Sequence, residues 1–383
     1  MLMGINSTYS LTLLLLIILI FMLSCTNLTR HKYLYIFIVT ILLSILGYFF
    51  NPIVAYNNGN YTDLVRFFQT MDVIKGANFN NNITIYQEYN YIPIMKLLLY
   101  IISQIGIKQL LPFISSFIFY GSFGLFIVKI SEKYNVSNRM MGLAFFCFIC
   151  LFNFKMVITN IRCPIGNAIF MLTLYYDFFT STKKKLCMIG YLICCAIHPI
   201  FILFTLLRLV FNLSNRITSK IFYMFILVYS LLINYAFEFM SKLTNIELFN
   251  YLSIKMNYYI NFWNEKYSEP LILLTGVIQI IVLIYFLAIA KKYIVKNSRE
   301  DSFYRITMAF VILAIGSLWN FVTFQRCTWI LIFFIIYWFI YLKSIKIQVS
   351  RASITIYDIV MILLITFSLT SYFFTYQYNV LTF

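Results

Sequence analysis

Long, uninterrupted runs of apolar residues recur along this chain and limit the environments in which it can fold. Examples are residues 9–23, 33–50, 111–128 and 329–342. Each run approaches the roughly 20 apolar residues that a helix needs to cross the hydrocarbon of a bilayer. Strands of a membrane barrel would instead alternate over segments of about ten residues, which these runs do not. The sequence therefore predicts an all-α, polytopic integral membrane protein.

The composition agrees with this class. Of the residues, 62% are hydrophobic and only 11% are charged, whereas a soluble domain carries about 25% charged residues because its surface faces water. The net charge of +17 is typical of nucleic-acid binding in a soluble protein. In a membrane protein, lysine and arginine collect in the cytoplasmic loops. We therefore expect membrane lipid, and no nucleic acid, around this chain.

The eight cysteines do not predict a metal site. Most of them lie in apolar runs, where cysteine behaves as a small hydrophobic residue. Cys147 and Cys150 have the spacing of a CxxC motif, but no second pair or histidine cluster completes a zinc site. Neither a metal nor another cofactor is predicted.

The number of crossings depends on the basic residues. The apolar segments are residues 9–26, 33–50, 91–107, 110–130, 139–158, 164–180, 186–212, 220–238, 270–290, 303–322, 326–342 and 354–375. If every segment crossed, the basic groups before and after residues 186–212 would lie on opposite sides of the membrane. One of them would then violate the positive-inside rule.

Two segments are therefore interpreted as re-entrant or interfacial. Segment 186–212 is interrupted by His198 and Pro199, and proline kinks or breaks a helix, so it is interpreted as two half-helices that enter and return. Segment 91–107 contains Pro93 and Lys96. Broken backbone at membrane depth is tolerated only where protein or a water-filled cavity surrounds it.

About ten helices then cross the bilayer with both termini outside, as the positive-inside rule favours. Of the 29 lysines and arginines, 19 fall inside, within residues 30–32, 129–139, 183–220, 291–305 and 343–351. The whole chain, residues 1–383, forms one transmembrane domain. Its long outer loops span residues 51–90 and 239–269.

The remaining polar residues near the outer face are candidate functional groups, because ionisable groups at membrane depth are costly. Asp63 and Arg66 would share one face of a helix, as part of a site or as a salt bridge that anchors the loop. Arg162 precedes Pro164 at a helix start, which suits a phosphate, although a snorkelling arginine is the alternative. Arg326 lies between two late apolar segments.

His198 suits proton transfer near neutral pH, or a structural hydrogen bond to a neighbouring helix. Other residues are predicted to contact substrate from the outer side: Glu88, Lys155, Trp263 and Tyr267. Asp63, Arg162 and His198 are the predicted catalytic residues, and Arg66 and Arg326 are predicted to bind an anionic substrate.

The order of these features resembles the EpsG/Wzy-type polysaccharide polymerases. Residues 63–68 read D-L-V-R-F-F and are similar to a D-L-x-R-[YF]-[YF] stretch of that family. Residues 88–91, E-Y-N-Y, resemble its E-P-G-Y element without the proline and glycine. Residues 160–168 contain its x-x-R-Q-x-x-A pattern with cysteine in place of glutamine. Residues 196–200, A-I-H-P-I, resemble its A-x-x-[FH]-H-x-[ST] break, and Arg326 falls where a late arginine is expected.

This resemblance implies a glycosyltransferase that polymerises undecaprenyl-pyrophosphate-linked oligosaccharide repeats at the extracytoplasmic face of the bacterial cytoplasmic membrane. It also implies a flippase and a chain-length regulator as partners. The arginines would hold the pyrophosphate, Asp63 or His198 would accept a proton, and the aromatic outer loops would stack on sugars. Alternatives are a lipid-linked glycan ligase, a transporter or flippase of lipid-linked oligosaccharide, and an O-acyltransferase.

Overall fold

The protein is described by a computed structural model that covers residues 3–50, 63–76, 79, 88–180, 184–211, 221–228, 230, 239, 242, 254, 270–347 and 356–378. Across these residues the regular structure is helical, with no strand. Short 3₁₀ turns lie at Asn27–Arg30 and Glu88–Tyr91. The α-helices with defined bounds are α1 Met3–Cys25, α2 Lys32–Tyr48, α3 Asp63–Ile74, α4 Pro93–Ile105, α5 Leu110–Lys133, α6 Asn138–Leu151, α7 Phe154–Thr159, α8 Arg162–Phe179, α9 Lys184–Ile197, α10 Ile200–Phe211, α11 Pro270–Ala290, α12 Arg299–Gly316, α13 Phe321–Ile347 and α14 Ile356–Tyr378.

The all-helical prediction is confirmed for the described residues, together with the predicted abundance of apolar helices. Within the described part of the chain, three helices are long and apolar enough to cross a membrane, namely α5, α11 and residues 321–345 of α13. Shorter apolar helices include most of α1, α2 and α6. The count of ten crossings stays a prediction. Of the predicted outer loops, residues 51–62, 80–87 and nearly all of 239–269 lie outside the described residues.

Helix α13 forms the centre of the bundle. From Cys327 to Leu342 nearly every side chain is buried, and a helix that is apolar all round belongs inside a protein or a membrane. Around it, aromatic rings from three helices interlock: the ring of Phe333 lies 4.9 Å from that of Phe123 and 5.2 Å from that of Phe148, in edge-to-face arrangements. Such geometry is favourable for aromatic pairs. The core therefore fixes α5, α6 and α13 relative to one another.

Segment 139–158, predicted as a single apolar segment, is not one continuous helix. Helix α6 ends at Leu151, and Phe152 and Asn153 adopt extended backbone before α7 begins. The Asn153 side chain accepts a hydrogen bond from the backbone N–H of Lys155, at 2.9 Å. Asparagine is a strong N-cap because it satisfies a free N–H of the first turn. This cap starts a new helix inside an apolar run.

Residues 184–211 form a helical hairpin, as the break at His198 and Pro199 predicts. The Cys195 sulfur and the Thr205 hydroxyl lie 3.5 Å apart, although ten residues of straight helix would separate them by about 15 Å. The chain therefore reverses direction. The hairpin packs on α8 where Gly166 leaves space for the Phe201 ring, because a Cβ at Gly166 would overlap that ring.

The base of the hairpin carries a charged contact to α8. The Asp177 carboxylate accepts hydrogen bonds from Arg208 of α10 at 2.7 Å and from the Tyr191 hydroxyl of α9 at 2.9 Å. The Arg208 and Asp177 side chains are 11% and 15% exposed. A carboxylate at the end of α8 thus holds both arms of the hairpin.

Other charged contacts cluster at this same end of the bundle. Lys133 at the end of α5 pairs with Glu300 at the start of α12, at 2.6 Å. Arg299 donates to the carbonyl oxygen of Phe179 at the end of α8. Since Arg162 and Asp177 lie near opposite ends of α8, Arg162 is about 22 Å away along the helix axis. The bundle therefore has a basic end and, opposite it, an end that carries Arg162.

Helix α4 lies within the segment that is predicted to be interfacial, and that placement stays a prediction. Its 13 residues span about 20 Å, short of the roughly 30 Å of hydrocarbon. It packs on α3 through hydrogen bonds from Ser103 to the Met71 carbonyl at 2.6 Å and from Gln104 to the Ile74 carbonyl at 3.2 Å. The pair α3 and α4 forms a small helical layer at the Arg162 end.

Candidate functional site

A carboxylate between two arginines marks the Arg162 end of the bundle. Asp63 opens α3, and its two oxygens accept from different guanidinium groups: Oδ1 from Arg66 Nη2 at 3.3 Å and Oδ2 from Arg162 Nη2 at 3.2 Å. The predicted pairing of Asp63 with Arg66 within one helix is confirmed. The contact with Arg162 joins residues 99 positions apart. Two of the predicted catalytic residues are therefore in direct contact.

The two helix starts position these groups. An acidic residue in the first turn of α3 is favoured by the helix dipole. Arg162 is the first residue of α8, with Pro164 in the first turn, and it is only 9% exposed. The N–H of Cys163 already donates to the Asn160 carbonyl at 3.2 Å. An anion at this helix start would consequently be held mainly by the guanidinium.

A ring that sequence reasoning did not single out supports both arginines. The Arg162 guanidinium carbon lies 5.4 Å from the Phe67 ring centroid, and that of Arg66 lies 5.9 Å from it. These are cation–π distances. The Phe67 ring in turn lies 6.2 Å from the ring of Tyr89, which is 3% exposed. The neighbouring arginine in the sequence signals a role for Phe67, but only the fold brings Arg162 onto the same ring.

Arg326 completes the charge of this cluster. It lies in the second turn of α13, so the prediction that it falls between two spans is wrong. The helix begins earlier because Asn320 caps it by accepting from the Thr323 N–H at 3.0 Å. Burial would raise the pKa of the Asp63 carboxyl, but Arg66, Arg162 and Arg326 outweigh it and hold that pKa below its usual value. Asp63 is therefore ionised at neutral pH.

His198 lies at the tip of the hairpin, between the two helices, and is 5% exposed. Burial, with Arg326 and Arg162 nearby, lowers the pKa of its imidazole well below the usual value. Its Nδ1 accepts a hydrogen bond from the Ile200 N–H at 3.1 Å. A neutral imidazole with Nδ1 as acceptor carries its proton on Nε2. In this geometry His198 is a hydrogen-bond donor, and Asp63 is the better candidate for accepting a proton.

The structure places the other predicted site residues only in part. Lys155 lies on α7 and is half-buried; its neighbours Asn153 and Met156 line a separate cleft. Glu88 opens the 3₁₀ turn that carries Tyr89, but its side chain lies outside the described residues. Trp263 and Tyr267 lie outside the described residues entirely.

The cluster is suited to an anion. Three arginines against one carboxylate leave an excess of two positive charges, which matches a pyrophosphate diester. The Arg162 Nε is buried and makes no hydrogen bond within the described part of the chain. Guanidinium groups bind phosphate oxygens through paired, charge-assisted hydrogen bonds. In the described residues, no three His, Cys, Asp or Glu side chains group as metal ligands would.

No protein-family model, curated protein or solved structure is significantly similar to this chain.

Proposed function

We propose that this protein is a membrane glycosyltransferase that polymerises undecaprenyl-pyrophosphate-linked oligosaccharide repeats at the extracytoplasmic face of the cytoplasmic membrane. The observation that carries this proposal is the contact of Arg66 and Arg162 with Asp63, with Arg326 and His198 close enough to act on the same groups. These residues come from four separate parts of the chain. They gather at one end of an all-helical membrane bundle.

The reaction transfers the growing glycan from its lipid pyrophosphate to a hydroxyl of a fresh lipid-linked repeat. The bond between the anomeric carbon and the pyrophosphate oxygen breaks, and a bond from that carbon to the acceptor oxygen forms. Negative charge develops on the departing undecaprenyl pyrophosphate. Arg66, Arg162 and Arg326 stabilise that charge, which is the electrostatic role that fixed donors have in many enzymes. His198 donates from Nε2 to a phosphate oxygen.

Asp63 has a role that changes when substrate binds. In the empty site it neutralises Arg66 and Arg162 and is a weak base. A pyrophosphate competes for those guanidinium groups, and the loss of opposite charge raises the pKa of the carboxyl. Asp63 then accepts the proton from the attacking hydroxyl as the new bond forms. Binding of the donor therefore activates the base.

A transporter of the same lipid-linked glycan is a weaker candidate. Transport requires polar groups along a path through both halves of the bilayer, often within repeated helical units. In the described residues, the contacts at the opposite end, such as Arg208 with Asp177 and Lys133 with Glu300, are paired and join helices together. A ligase would use the same donor site, so only the acceptor separates it from a polymerase.

The test replaces the chromosomal gene with wild type or with Arg162→Ala, Asp63→Ala or Arg326→Ala, and measures the lengths of surface and lipid-linked glycans on gels. Each protein is quantified in membranes. If the protein is a polymerase, single repeats accumulate at the outer face in the deletion strain and in the three variants. Lys75→Ala, at an exposed position beside α3, is the matched control and keeps long polymers.

Other outcomes separate the rival functions. Single repeats that stay on the inner leaflet of the deletion strain identify a transporter. Long polymers that remain lipid-linked, without transfer to a final acceptor, identify a ligase. Long surface polymers in the deletion strain contradict all three.

A further inference from the structure

A second polar region lies beside the arginine cluster, in a cleft between α11 and α13. The cleft contains about 460 Å³ of empty space, which includes the solvent at its open side. The lining is apolar in part, but it includes these polar or aromatic side chains: Asn153, Thr275, Gln279, Gln325, Thr328 and Trp329.

The cleft lies at the same end of the bundle as the arginine cluster. Gln325 lines it, and the next residue, Arg326, lowers the pKa of Asp63. Adjacent residues of a helix point about 100° apart, so α13 presents one side chain to each region. On the other wall, Asn153 caps α7, which ends three residues before Arg162. One ligand can therefore extend from the cluster into the cleft.

Two carboxamide groups line the cleft from its α11 and α13 walls, those of Gln279 and Gln325. Gln279 lies on α11, a helix apolar enough to cross a membrane, and is only 3% exposed. Among the described residues, neither its amide nor that of Gln325 makes a hydrogen bond. By contrast, Thr275 donates to the Leu271 carbonyl at 2.7 Å, so the hydroxyl of that wall is already used.

We propose that this cleft is a subsite for an uncharged sugar ring of the lipid-linked glycan, and the inference rests on the proposed function. Among the described residues no charged side chain lines the cleft, and such a lining suits a neutral ligand. Gln279 and Gln325 each offer two donors and an acceptor to adjacent hydroxyls, and the half-buried indole of Trp329 offers an apolar face to the ring. A polyprenyl chain would leave both carboxamides unpaired.

The test measures binding directly and does not depend on catalysis. The probes are the free repeat oligosaccharide, released from its lipid by mild acid, and undecaprenyl phosphate, each titrated calorimetrically into purified protein. Gln279→Leu and Gln325→Leu are each expected to weaken oligosaccharide binding about tenfold, because each removes hydrogen bonds to a hydroxyl. Binding of undecaprenyl phosphate is expected to stay the same. Gln69→Leu, at an exposed position on α3, is the control.

Two results would overturn the subsite. In one, both variants bind the oligosaccharide as wild type does. In the other, the same substitutions change the affinity for undecaprenyl phosphate, which identifies the cleft as a lipid site. Gln325 is only half-buried, so Gln325→Leu tests the subsite even if Gln279→Leu does not fold. Long surface polymers in the deletion strain, together with oligosaccharide binding that both variants weaken, would count against the proposed function alone.

Discussion

At the scale of one residue, Asp63 shows how two arginines can be held in position for an anion before the anion binds. The guanidinium groups of Arg66 and Arg162 both contact Asp63 and would repel each other without it. The negative charge of the carboxylate between them removes that repulsion. The same ion pairs hold α3 against α8. Asp63 therefore contributes to folding stability and is also the first group that a bound pyrophosphate would disturb.

The ion pairs of Asp63 predict a particular dependence of stability on pH. Its pKa is lowered in the folded protein, so its contribution is present above the unfolded value of about 3.9 and is lost as pH falls through the folded value. We expect wild type to melt above Asp63→Asn by a constant margin from pH 8 to 5, and by a shrinking margin below about pH 4. Thermal unfolding in detergent measures this. A margin of zero at pH 7 would show that the carboxylate is not paired.

His198 combines two roles that substitution can separate. Its Nδ1 accepts from the Ile200 N–H and so caps α10, whereas Nε2 is left to donate. Asparagine preserves a cap, and alanine loses about 1 kcal/mol of it. We expect His198→Asn to melt close to wild type and His198→Ala to melt lower. Both variants are expected to lose about tenfold or more in polymerisation, because neither replaces the Nε2 donor.

If His198→Asn retained wild-type activity, the role of this histidine would be structural only. The pH profile gives an independent check. Since the pKa of His198 lies well below its usual value, a step in the wild-type rate near pH 6.5 would contradict the neutral donor.

The sequence predicted those features of the site that are local. The spacing of Asp63 and Arg66 was enough to predict their contact, because positions three apart share a helix face. Their contact with Arg162 depends on how α3 packs on α8, and no local pattern contains that information. Arg326 was misplaced for a related reason: a cap by Asn320 starts α13 five residues before the apolar segment that was recognised.

At the scale of the element, the hairpin α9–α10 is held from its base. Asp177 contacts both arms through Tyr191 and Arg208, and these two residues lie about 10 and 15 Å from the His198 tip along their helices. This contact and the packing of Phe201 against Gly166 fix the position of the hairpin on α8. The orientation of His198 toward Arg162 and Arg326 depends on it.

Removal of this contact is therefore expected to act at a distance. Asp177→Ala leaves the Arg208 charge buried without its partner and is expected to destabilise the protein by about 3 kcal/mol. Polymer length is expected to fall as well, although Asp177 is remote from the site. The double variant Asp177→Leu/Arg208→Leu removes both charges and is expected to recover most of the stability. Unfolding in detergent and glycan gels provide the two measurements.

An exposed pair supplies the control for that experiment. Lys108 and Asp72 lie 2.5 Å apart, but the Asp72 side chain is 59% exposed. Asp72→Ala is expected to change stability by less than about 1 kcal/mol. Equal losses in Asp72→Ala and Asp177→Ala would show that the hairpin base has no special role.

The breaks in helices were only partly predictable. Pro199 is a direct signal, since it removes a backbone donor, and the hairpin was found from it. The break after Leu151 carries no proline. It depends on Asn153, whose capping hydrogen bond competes with continuation of the helix inside an apolar run. An asparagine within such a run is the signal that could have predicted the start of α7.

On the scale of the whole molecule, charge is distributed unevenly between the two ends of the bundle. At one end, basic residues pair with acidic partners between helices, as in Lys133 with Glu300 and Lys343 with Asp358. At the other end, arginines exceed carboxylates around Asp63. Because lysines and arginines collect on the cytoplasmic side in general, we propose that the paired basic end is the inner one and that the candidate site faces outward.

This orientation can be measured directly in the membrane. Lys75 lies at the end of α3, and Lys292 follows α11 at the basic end; both are exposed. In a variant without native cysteines, Lys75→Cys is expected to react with an impermeant maleimide on intact spheroplasts. Lys292→Cys is expected to react only after the membrane is permeabilised. The opposite pattern would show that the arginine cluster faces the cytoplasm. The donor would then be a lipid-linked glycan that has not yet been transferred across the membrane. Polymerisation at the outer face would then be excluded, even with every contact around Asp63 intact.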